Sequence, residues 1–491
     1  MNWPVDVTVL DTELQKAQWS KPCTYKLPEA MTTGVGTSQN NDSVKKSAAY
    51  LPHTVSFGPY HHGKNDHLKM DPHKHRVLGH FLRRFNVTLQ TLTDSLVTTS
   101  GIRQQLDRVE VLPVLQRLMD SYESLGDKWL HDHDGFLKLM IFDGCFMLEI
   151  LQWLLVSDGD KAVPASSAFL GSVDECYYAD NDPIFSRHGK LYFLSYIRRD
   201  MLMLENQLPM LLLKTLLGAV LPAKTQEDIE EHLNMIILNF CKGHSNHNPQ
   251  KMGPSLHALD LYRKSLLTIC MHENQPVGAS SITKNVNSGD HAKAKRPMMS
   301  CTTRSGEDIV RSAMNLHESR IKFKKSTETC NLTDIWFKGH TLRLPVVVID
   351  DTTESTLLNM MAFERFHAGA GNEITSYVFF MDTIIDSPDD VKILRSSGVL
   401  QSAIGSDKAV AKLFNELTKD VTPDPESWLV KVVQTQLDEY CRNKWHEWRA
   451  NLSHTYFQNP WALVSLLAAV LLLALTISQT FYSIYGYYKP K

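Results

Sequence analysis

The densest group of side chains that could bind a metal ion or transfer a proton lies in FGPYHHGKNDHLKMDPHKHR, the stretch from Phe57 to Arg76. It contains five of the chain's 21 histidines: His61, His62, His67, His73 and His75. Two histidines on one helix share a metal ion when they are three or four positions apart. The helix expected from Pro72 onward carries histidines at positions 73, 75 and 80, which lack that spacing. We therefore expect no metal site in this stretch.

The first part of the stretch is better explained as a turn. Gly-Pro is a strong turn signal, and adjacent histidines in a turn can hydrogen-bond it to the rest of the protein. We expect His61 and His62 to attach this turn to a helical body. The turn motif consists of Gly58, Pro59, Tyr60, His61, His62 and Gly63.

Acidic side chains inside apolar runs are the second candidate for chemistry. They are Glu149 in DGCFMLEILQWLL, Glu205 with Asn206 in RRDMLMLENQLPMLLL, and Glu364 in LLNMMAFERF. A carboxylate that faces a protein core needs hydrogen-bonding or charged partners. Two interpretations follow: a buried polar network that fixes helix packing, or a paired-carboxylate site for hydrolysis. The network is favoured because no nucleophile motif or phosphate-binding loop accompanies these acids.

Motifs for other chemistry are missing from the sequence. It has no dinucleotide fingerprint, Walker loop, nucleophile elbow, kinase set or H-E-x-x-H motif, so we expect no cofactor and no enzymatic activity. The formal net charge of -3 provides no basic surface for a nucleic-acid partner. The eight cysteines form no C-x-x-C pair, which argues against a zinc ribbon and a compact disulfide framework.

The C-terminal end predicts a membrane-spanning helix over residues 461–485. No charged residue occurs from Trp461 to Tyr482, and these 22 residues are enough to cross roughly 30 Å of hydrocarbon. Trp461 at one end, and Phe481 with Tyr482 at the other, are placed as interfacial aromatic anchors. The expected partner of this helix is a lipid bilayer, crossed once.

The orientation of the chain in the membrane is open. The first thirty residues contain no signal peptide, which favours a cytosolic N-terminal part. Four glycosylation sequons, at Asn41, Asn86, Asn331 and Asn451, would be used only if that part faced the lumen or the exterior. We expect a plasma-membrane location, with the endoplasmic reticulum as the alternative.

The remaining pattern predicts a mainly α protein with one small β-hairpin. Asp71 is the expected N-cap of a helix that starts at Pro72. Helical periodicity recurs at 108–125, 135–156, 191–218, 226–241, 306–317, 354–367, 388–399, 405–418 and 425–456. The segments DIWF and LRLPVVVID, separated by KGH, predict the hairpin.

Polar segments divide the chain into parts. We expect a flexible leader over residues 1–50, an N-terminal helical part over 51–241, a polar linker or variable insertion over 242–305, and a C-terminal helical part over 306–456. A second polar segment covers 157–187. Long polar segments of this kind are often binding surfaces.

Eight sequence blocks resemble the plant domain of unknown function 247 family in content and order. They are VSFGPYHHG followed by HKHR, DGCFMLEI, RDMLMLENQLPMLLL, RSAMNLHESRIKFK, LRLPVVVIDDTTESTLLNMMAFE, YVFFMDTIIDSPDDVKILRSSGVL, IGSDKAVAKLFNEL and NPWALVSLLAAVLLLALTISQTFYSIYGYY. The resemblance covers nearly the whole chain from about residue 50. One departure is His75, which stands where the family pattern has an aromatic residue.

The resemblance implies a mostly helical plant protein with one C-terminal span and no established enzymatic activity. Some grass members of the family are implicated as pollen determinants of self-incompatibility, recognised together with small secreted stigma proteins. Our first hypothesis is therefore a membrane-anchored recognition or signalling protein with a protein partner. The alternative is a membrane-tethered hydrolase that uses the buried carboxylates.

Overall fold

Helices make up most of the described chain, as the sequence periodicity predicts. The structure, a computed structural model, describes residues 22–32, 48–64, 68–97, 113–157, 178–242, 252–268, 312–326, 331–419, 421, 424, 427, 429–441 and 460–488. Its earlier helices are α1 (Glu29–Thr32), α2 (Lys74–Phe85), α3 (Leu89–Val97), α4 (Val114–Met119), α5 (Asp127–His131), α6 (His133–Ser157), α7 (Arg187–Tyr192), α8 (Leu194–Met201), α9 (Met210–Val220) and α10 (Gln226–Lys242). Short 3-10 turns cover Asp71–His73 and Leu204–Asn206.

The later helices continue the same architecture. They are α11 (Ala258–Leu267), α12 (Ala313–Glu318), α13 (Thr353–Phe366), α14 (Glu373–Ile384), α15 (Pro388–Ser396), α16 (Asp407–Leu417), α17 (Thr435–Cys441) and α18 (Pro460–Tyr488). A π-helical turn, Leu429–Gln434, precedes α17.

Helix α6 is the centre of the N-terminal part. Its sequence is apolar on nearly every face, which is typical of a helix buried on all sides. Helices α2, α9 and α10 pack around it. Gly144 allows α9 to come close, because a Cβ at this position would lie 2.4 Å from Cδ1 of Leu216.

One hydrophobic core runs through both the N-terminal and the C-terminal helices. Helix α11 contacts α10 on one side and α13 on the other. The backbone N–H of Leu204 donates to Oδ1 of Asn359 at 2.8 Å, which adds a buried polar contact between the two parts. The two predicted helical parts therefore fold onto each other as one packed unit.

The strands form two small sheets. Strand β1 (Lys322–Lys325) lies parallel to β3 (Thr341–Leu344), and β3 pairs antiparallel with β2 (Trp336–Lys338). The β2–β3 pair is the predicted hairpin, with Gly339 at φ +66° in its turn. A second sheet pairs β4 (Val347–Ile349) with β5 (Leu400–Ser402) in parallel.

The run predicted as one helix over 191–218 is divided. Pro209 restricts the residue before it to extended backbone. At the end of α8, side-chain amides donate hydrogen bonds to backbone carbonyls that have no partner within the helix. Nδ2 of Asn206 donates to the Asp200 carbonyl at 2.9 Å, and Nε2 of Gln207 donates to the Met201 carbonyl at 2.6 Å. The sequence LENQLP is therefore a polar break between two apolar helices.

Two segments expected to be polar surface chain contain buried residues. Helix α11 lies inside the expected linker 242–305, where Leu259 and Leu261 are fully buried. In the expected leader, Tyr25 and Leu27 belong to the core and Thr24 forms a β-bridge with Tyr122. A short apolar stretch within a polar segment is easily overlooked by a composition criterion, which averages over the whole segment.

Asp71 does not cap α2, contrary to the sequence expectation. Its carboxylate accepts hydrogen bonds from the backbone N–H (3.0 Å) and the hydroxyl (2.6 Å) of Ser56, and it lies 3.1 Å from Nζ of Lys74. The first turn at Pro72 is 3-10, and α2 begins at Lys74. The acid is thus used for a tertiary contact in place of a helix cap.

Helix α18 lies outside the packed core. Its stretch Leu467–Ile484 is long and apolar enough to cross a membrane by length and composition, and none of this stretch is buried against the rest of the protein. The hydroxyl of Thr476 donates to the Leu472 carbonyl at 2.8 Å, so this polar side chain is satisfied within the helix. A helix of 29 residues extends for roughly 44 Å at about 1.5 Å per residue.

Candidate functional site

The segment of residues 53–58, which ends at the first glycine of the turn motif, is bound by buried side chains. The carboxylate of Asp200 accepts the backbone N–H groups of His53 at 3.0 Å, Thr54 at 2.7 Å and Val55 at 3.0 Å. Asp200 is fully buried, and desolvation raises the pKa of its carboxyl to about 6 despite these three donors. The side chain of Asp200 in α8 thus supplies acceptors that a neighbouring strand would supply in a sheet.

The next residues of this segment are bound in the same way. Phe57 donates its backbone N–H to Oδ1 of Asn206 at 2.6 Å, and Gly58 donates to Oδ2 of Asp143 at 2.8 Å. The buried ammonium of Lys74 lies 2.8 Å from Oδ1 of Asp143 and donates to the Ser56 carbonyl at 2.6 Å. Desolvation raises the pKa of Asp143 to about 6 even with this lysine beside it.

Tyr60 anchors the turn to two other loops. Its hydroxyl donates to the Thr24 carbonyl at 3.2 Å and makes a short hydrogen bond to the Glu123 carbonyl. Its ring meets Tyr122 edge to face, with 5.6 Å between centroids. The position of the turn is therefore fixed relative to residues 22–27 and 121–129.

His61 and Glu205 form a buried pair beneath the turn. Nε2 of His61 lies 3.2 Å from Oε2 of Glu205, and both side chains are more than nine-tenths buried. The other oxygen of Glu205 accepts the backbone N–H of Leu27 at 2.6 Å. Glu205 therefore joins the turn motif to the N-terminal segment.

His62 points the other way, into an open cleft of about 270 Å³. Its ring is exposed and meets Trp129 edge to face, with 5.5 Å between centroids. The cleft is also lined by Lys26, Lys64, Asp127 and Lys128. The ammonium of Lys128 lies over the Trp129 ring, 4.4 Å from its centroid.

Glu149 belongs to a second, separate network. Its Oε1 lies 2.8 Å from Nη2 of Arg84 and accepts the Tyr178 hydroxyl at 2.8 Å. Glu149 is completely buried, and desolvation raises the pKa of its carboxyl while Arg84 and Tyr178 oppose the shift.

Glu364 belongs to a third network, which links α11, α13 and α14. Its Oε1 accepts from Nε of Arg263 at 2.8 Å and from the Ile374 backbone N–H at 2.9 Å. Its Oε2 accepts the backbone N–H of Thr375 at 2.8 Å. This carboxylate takes up donors at the start of α14, where helix N–H groups have no partners within the helix.

The structure brings together some predicted site residues and separates others. Glu205 and Asn206 both bind the segment around the turn motif, whereas no contact among the described residues joins Glu149, Glu205 and Glu364 to one another. Phe481 and Tyr482 are exposed at the end of α18, and the side chain of Trp461 is outside the described residues.

The histidine stretch has no metal-binding arrangement where it is described. Across the described ranges, no group of three or more His, Cys, Asp or Glu side chains could hold a metal ion. His67 lies outside the described residues. The ring centroid of His75 lies 4.1 Å from that of Phe142. An aromatic residue at this position would make the same type of contact.

Sequence reasoning passed over Asp143, Asp200 and the cleft lysines. Asp143 and Asp200 lie in the same apolar runs as Glu149 and Glu205, so the criterion that selected the glutamates also identifies these aspartates. Lys26 and Lys128 carry no comparable signal, because exposed lysines are common and their meeting at one cleft depends on tertiary structure.

Comparison with known proteins gives a family of plant proteins. A UPF0481 protein of Arabidopsis thaliana is 26% identical over 486 residues, covering 97% of this chain and 89% of the relative. A second UPF0481 protein of the same plant is 24% identical over 506 residues, covering 88% and 87%. No solved structure matches. The model of the DUF247 family, described as plant protein of unknown function, matches residues 38–475, and the chain therefore belongs to this family.

Proposed function

We propose that this protein is a membrane-anchored recognition or signalling protein without catalytic activity. The observation that carries the proposal is the apolar stretch of α18, Leu467–Ile484, none of which is buried against the helical body. Leaving so much apolar surface in water is costly, and a lipid bilayer is the environment that removes this cost. The helical body then becomes a rigid support held next to a membrane.

The positions of the acidic side chains support a noncatalytic role. Glu149, Glu205 and Glu364 are each occupied by basic side chains or by backbone donors in separate networks. A paired-carboxylate hydrolase needs two carboxyl groups roughly 5–10 Å apart across an open cleft. The partners of these three glutamates give the hydrolase alternative no support.

The narrower form of the proposal is a pollen determinant of self-incompatibility that interacts with a small secreted protein. The support for this narrower form is family membership, since some grass members of the family are implicated as pollen determinants of self-incompatibility. The polar segments 157–187 and 242–305 are the proposed contact surface, and both lie largely outside the described residues.

Topology is the first test, because an external protein can reach this chain only if the helical body is exposed at the cell surface or in the lumen. Two sequons provide a matched pair of reporters. Asn86 is exposed, whereas Asn331 is 4% exposed and its Oδ1 accepts from both the backbone N–H and the hydroxyl of Thr333 at 2.8 Å. A glycan therefore fits on Asn86 and conflicts with the fold at Asn331.

The experiment expresses the full chain with an N-terminal tag in plant cells. If the body faces the lumen or exterior, the glycosidase-sensitive mobility shift becomes smaller by one glycan in Asn86→Gln and is unchanged in Asn331→Gln. The tag in sealed vesicles then resists added protease. A cytosolic body gives no shift at Asn86 and a tag that protease removes. The cytosolic outcome would reject direct recognition of a secreted protein.

Exchange of segments between two alleles tests recognition itself. Residues 158–177 and 269–311 should be exchanged, and residues 252–268 should be left in place because α11 belongs to the core. Partner choice should follow the exchanged segments. An exchange of the exposed residues of α3 is the control, and unchanged partner choice after the main exchange would contradict the proposed contact surface.

A further inference from the structure

The cleft beside the turn motif has an unbalanced charge. Three lysines, Lys26, Lys64 and Lys128, line it together with His62, and Asp127 is the carboxylate among the lining residues. With His62 neutral, the lining carries a formal net charge of +2, in a chain whose overall formal charge is -3. Like charges around one concave surface repel each other, and an anion in the cleft would relieve this repulsion.

The walls of the cleft are preorganised from beneath. Glu205 binds both Leu27 N–H and His61, and the chain neighbours of these two residues are Lys26 and His62. One buried carboxylate therefore fixes the spacing between a lysine wall and the histidine wall. Tyr60 fixes the floor through its hydrogen bonds to the Thr24 and Glu123 carbonyls.

We propose that this cleft binds a phosphate monoester through Lys26, Lys64, Lys128 and His62. The ammonium groups act as point charges for a doubly charged phosphate, and His62 adds a ring nitrogen that can donate a hydrogen bond. The volume of about 270 Å³ lies just below the roughly 300–1,000 Å³ typical of sites for drug-sized ligands, so it suits a small headgroup. The phosphate belongs to either a soluble metabolite or a lipid headgroup.

The surroundings of His62 agree with a site for an anion. Desolvation lowers the pKa of His62, and the positive charges of Lys74 and Lys128 lower it further, while Asp71 opposes them. A bound phosphate reverses the electrostatic part of this shift. The pKa of His62 therefore rises when phosphate binds. By linkage, the free energy of this pKa shift equals the free energy by which protonation of His62 strengthens phosphate binding.

The first experiment titrates the full chain in neutral detergent with inorganic phosphate and pyrophosphate by calorimetry, at constant ionic strength. We expect saturable binding that weakens about tenfold in each of Lys26→Gln and Lys128→Gln, the loss of one charged hydrogen bond. Lys138→Gln, which removes an exposed lysine of α6 outside the cleft, is the matched control and leaves binding unchanged. No saturable binding, or equal weakening in the control, overturns the proposal.

The second experiment follows His62 by NMR, with its resonance identified by comparison with His62→Gln. We expect its midpoint pH to rise when phosphate is added, and to stay unchanged when chloride replaces phosphate. An identical midpoint pH in both salts counts against the site.

The third experiment distinguishes the two sources of phosphate. It compares short-chain phosphatidylinositol 4-phosphate with its soluble headgroup, inositol 1,4-bisphosphate. At least tenfold tighter binding of the lipid, lost in Lys128→Gln, assigns the site to a membrane headgroup, whereas equal binding of both assigns it to a soluble ligand. Binding of neither compound rejects the phosphate monoester assignment.

Discussion

Individual buried polar residues decide how the turn motif is held. His53 and Asp200 are 147 positions apart, and Phe57 and Asn206 are 149 apart. The sequence shows that an acid in an apolar run must be satisfied, and this expectation agrees with the partners observed for Glu149, Glu205 and Glu364. It cannot show which distant donor satisfies each acid, because that depends on the packing of the complete chain.

Glu205 provides a prediction at this scale. Glu205→Ala removes the carboxylate beside the His61 ring and leaves the buried Leu27 N–H without its acceptor, so we expect a loss of about 3 kcal/mol in the free energy of unfolding. Glu205→Gln keeps a neutral acceptor and should lose only about 1 kcal/mol. Urea unfolding monitored by circular dichroism checks both values, and equal stability of the two variants would contradict this account.

His257 provides a pH-dependent prediction. Its Nε2 bonds to the Cys23 carbonyl at 2.9 Å and its Nδ1 accepts the Asp260 N–H, which caps α11, so the neutral ring is satisfied on both sides. Desolvation lowers the pKa of His257 to about 4 from its usual 6.5. Because the unfolded chain takes up this proton first, stability from His257 is complete above pH 6.5 and is lost as pH falls toward 4.

The matched variant is His257→Asn, which keeps a cap acceptor but does not titrate near neutral pH. The stability advantage of the natural protein over this variant should shrink by about 2 kcal/mol between pH 7.5 and pH 5. Urea unfolding at both pH values measures it. Other titrating groups, including Asp143 and Asp200, cancel in the difference, and an advantage that does not change with pH would show that His257 is not buried in its neutral form.

Among the elements, the turn motif depends on its glycines to different degrees. Gly58 and Gly63 both adopt positive φ, +72° and +71°. A Cβ on Gly58 would lie 2.9 Å from the Tyr122 hydroxyl and 3.2 Å from the Gln207 carbonyl, whereas a Cβ on Gly63 meets nothing within 4 Å. Comparison of the same substitution at the two positions therefore separates the energetic cost of backbone strain from the cost of steric conflict.

We therefore expect Gly58→Ala to destabilise the protein by about 2–4 kcal/mol, from left-handed strain plus overpacking. Gly63→Ala should cost about 1 kcal/mol, from strain alone. Thermal unfolding of the two variants side by side provides the measurement. If Gly63→Ala were as damaging as Gly58→Ala, the close approach to Tyr122 and Gln207 would not be important.

The elements also show where periodicity is a sufficient guide. The antiparallel pairing of β2 and β3 confirms the predicted hairpin. Its sequence signal is clear, because Gly339 lies in the turn between two short runs with alternating apolar residues. The run LRLPVVVID, however, forms two strands in different sheets, since Pro345 has no N–H with which to continue the ladder. The run KFKK in β1 has exposed lysines, and a single buried side chain, Phe323, is too weak a signal to identify a strand.

For the whole molecule, α18 is separable from the helical body. Removal of residues 460–491 takes away no buried contact of Leu467–Ile484, so we expect the thermal midpoint of the body to change by less than about 3 °C. The truncated protein should be released from membranes by carbonate, while the full chain stays in the pellet.

A single substitution provides the control. Leu472→Arg places a charge in the middle of the apolar stretch, at a cost of about 3 kcal/mol for membrane insertion, and leaves the body intact. Partial release of this variant by carbonate is expected. Complete retention of the truncated protein in the pellet would contradict a membrane role for α18.

The N-terminal segment has a consequence for the order of events during synthesis. The hydroxyl of Tyr25 bonds to Nδ1 of His367, 342 positions later in the chain, and the Cys23 carbonyl bonds to His257, 234 positions later. At roughly 5–20 residues per second, a ribosome needs about 20–70 s to deliver His367 after Tyr25. The first described segment to leave the ribosome is thus among the last to dock. Until then, chaperones must shield its apolar side chains.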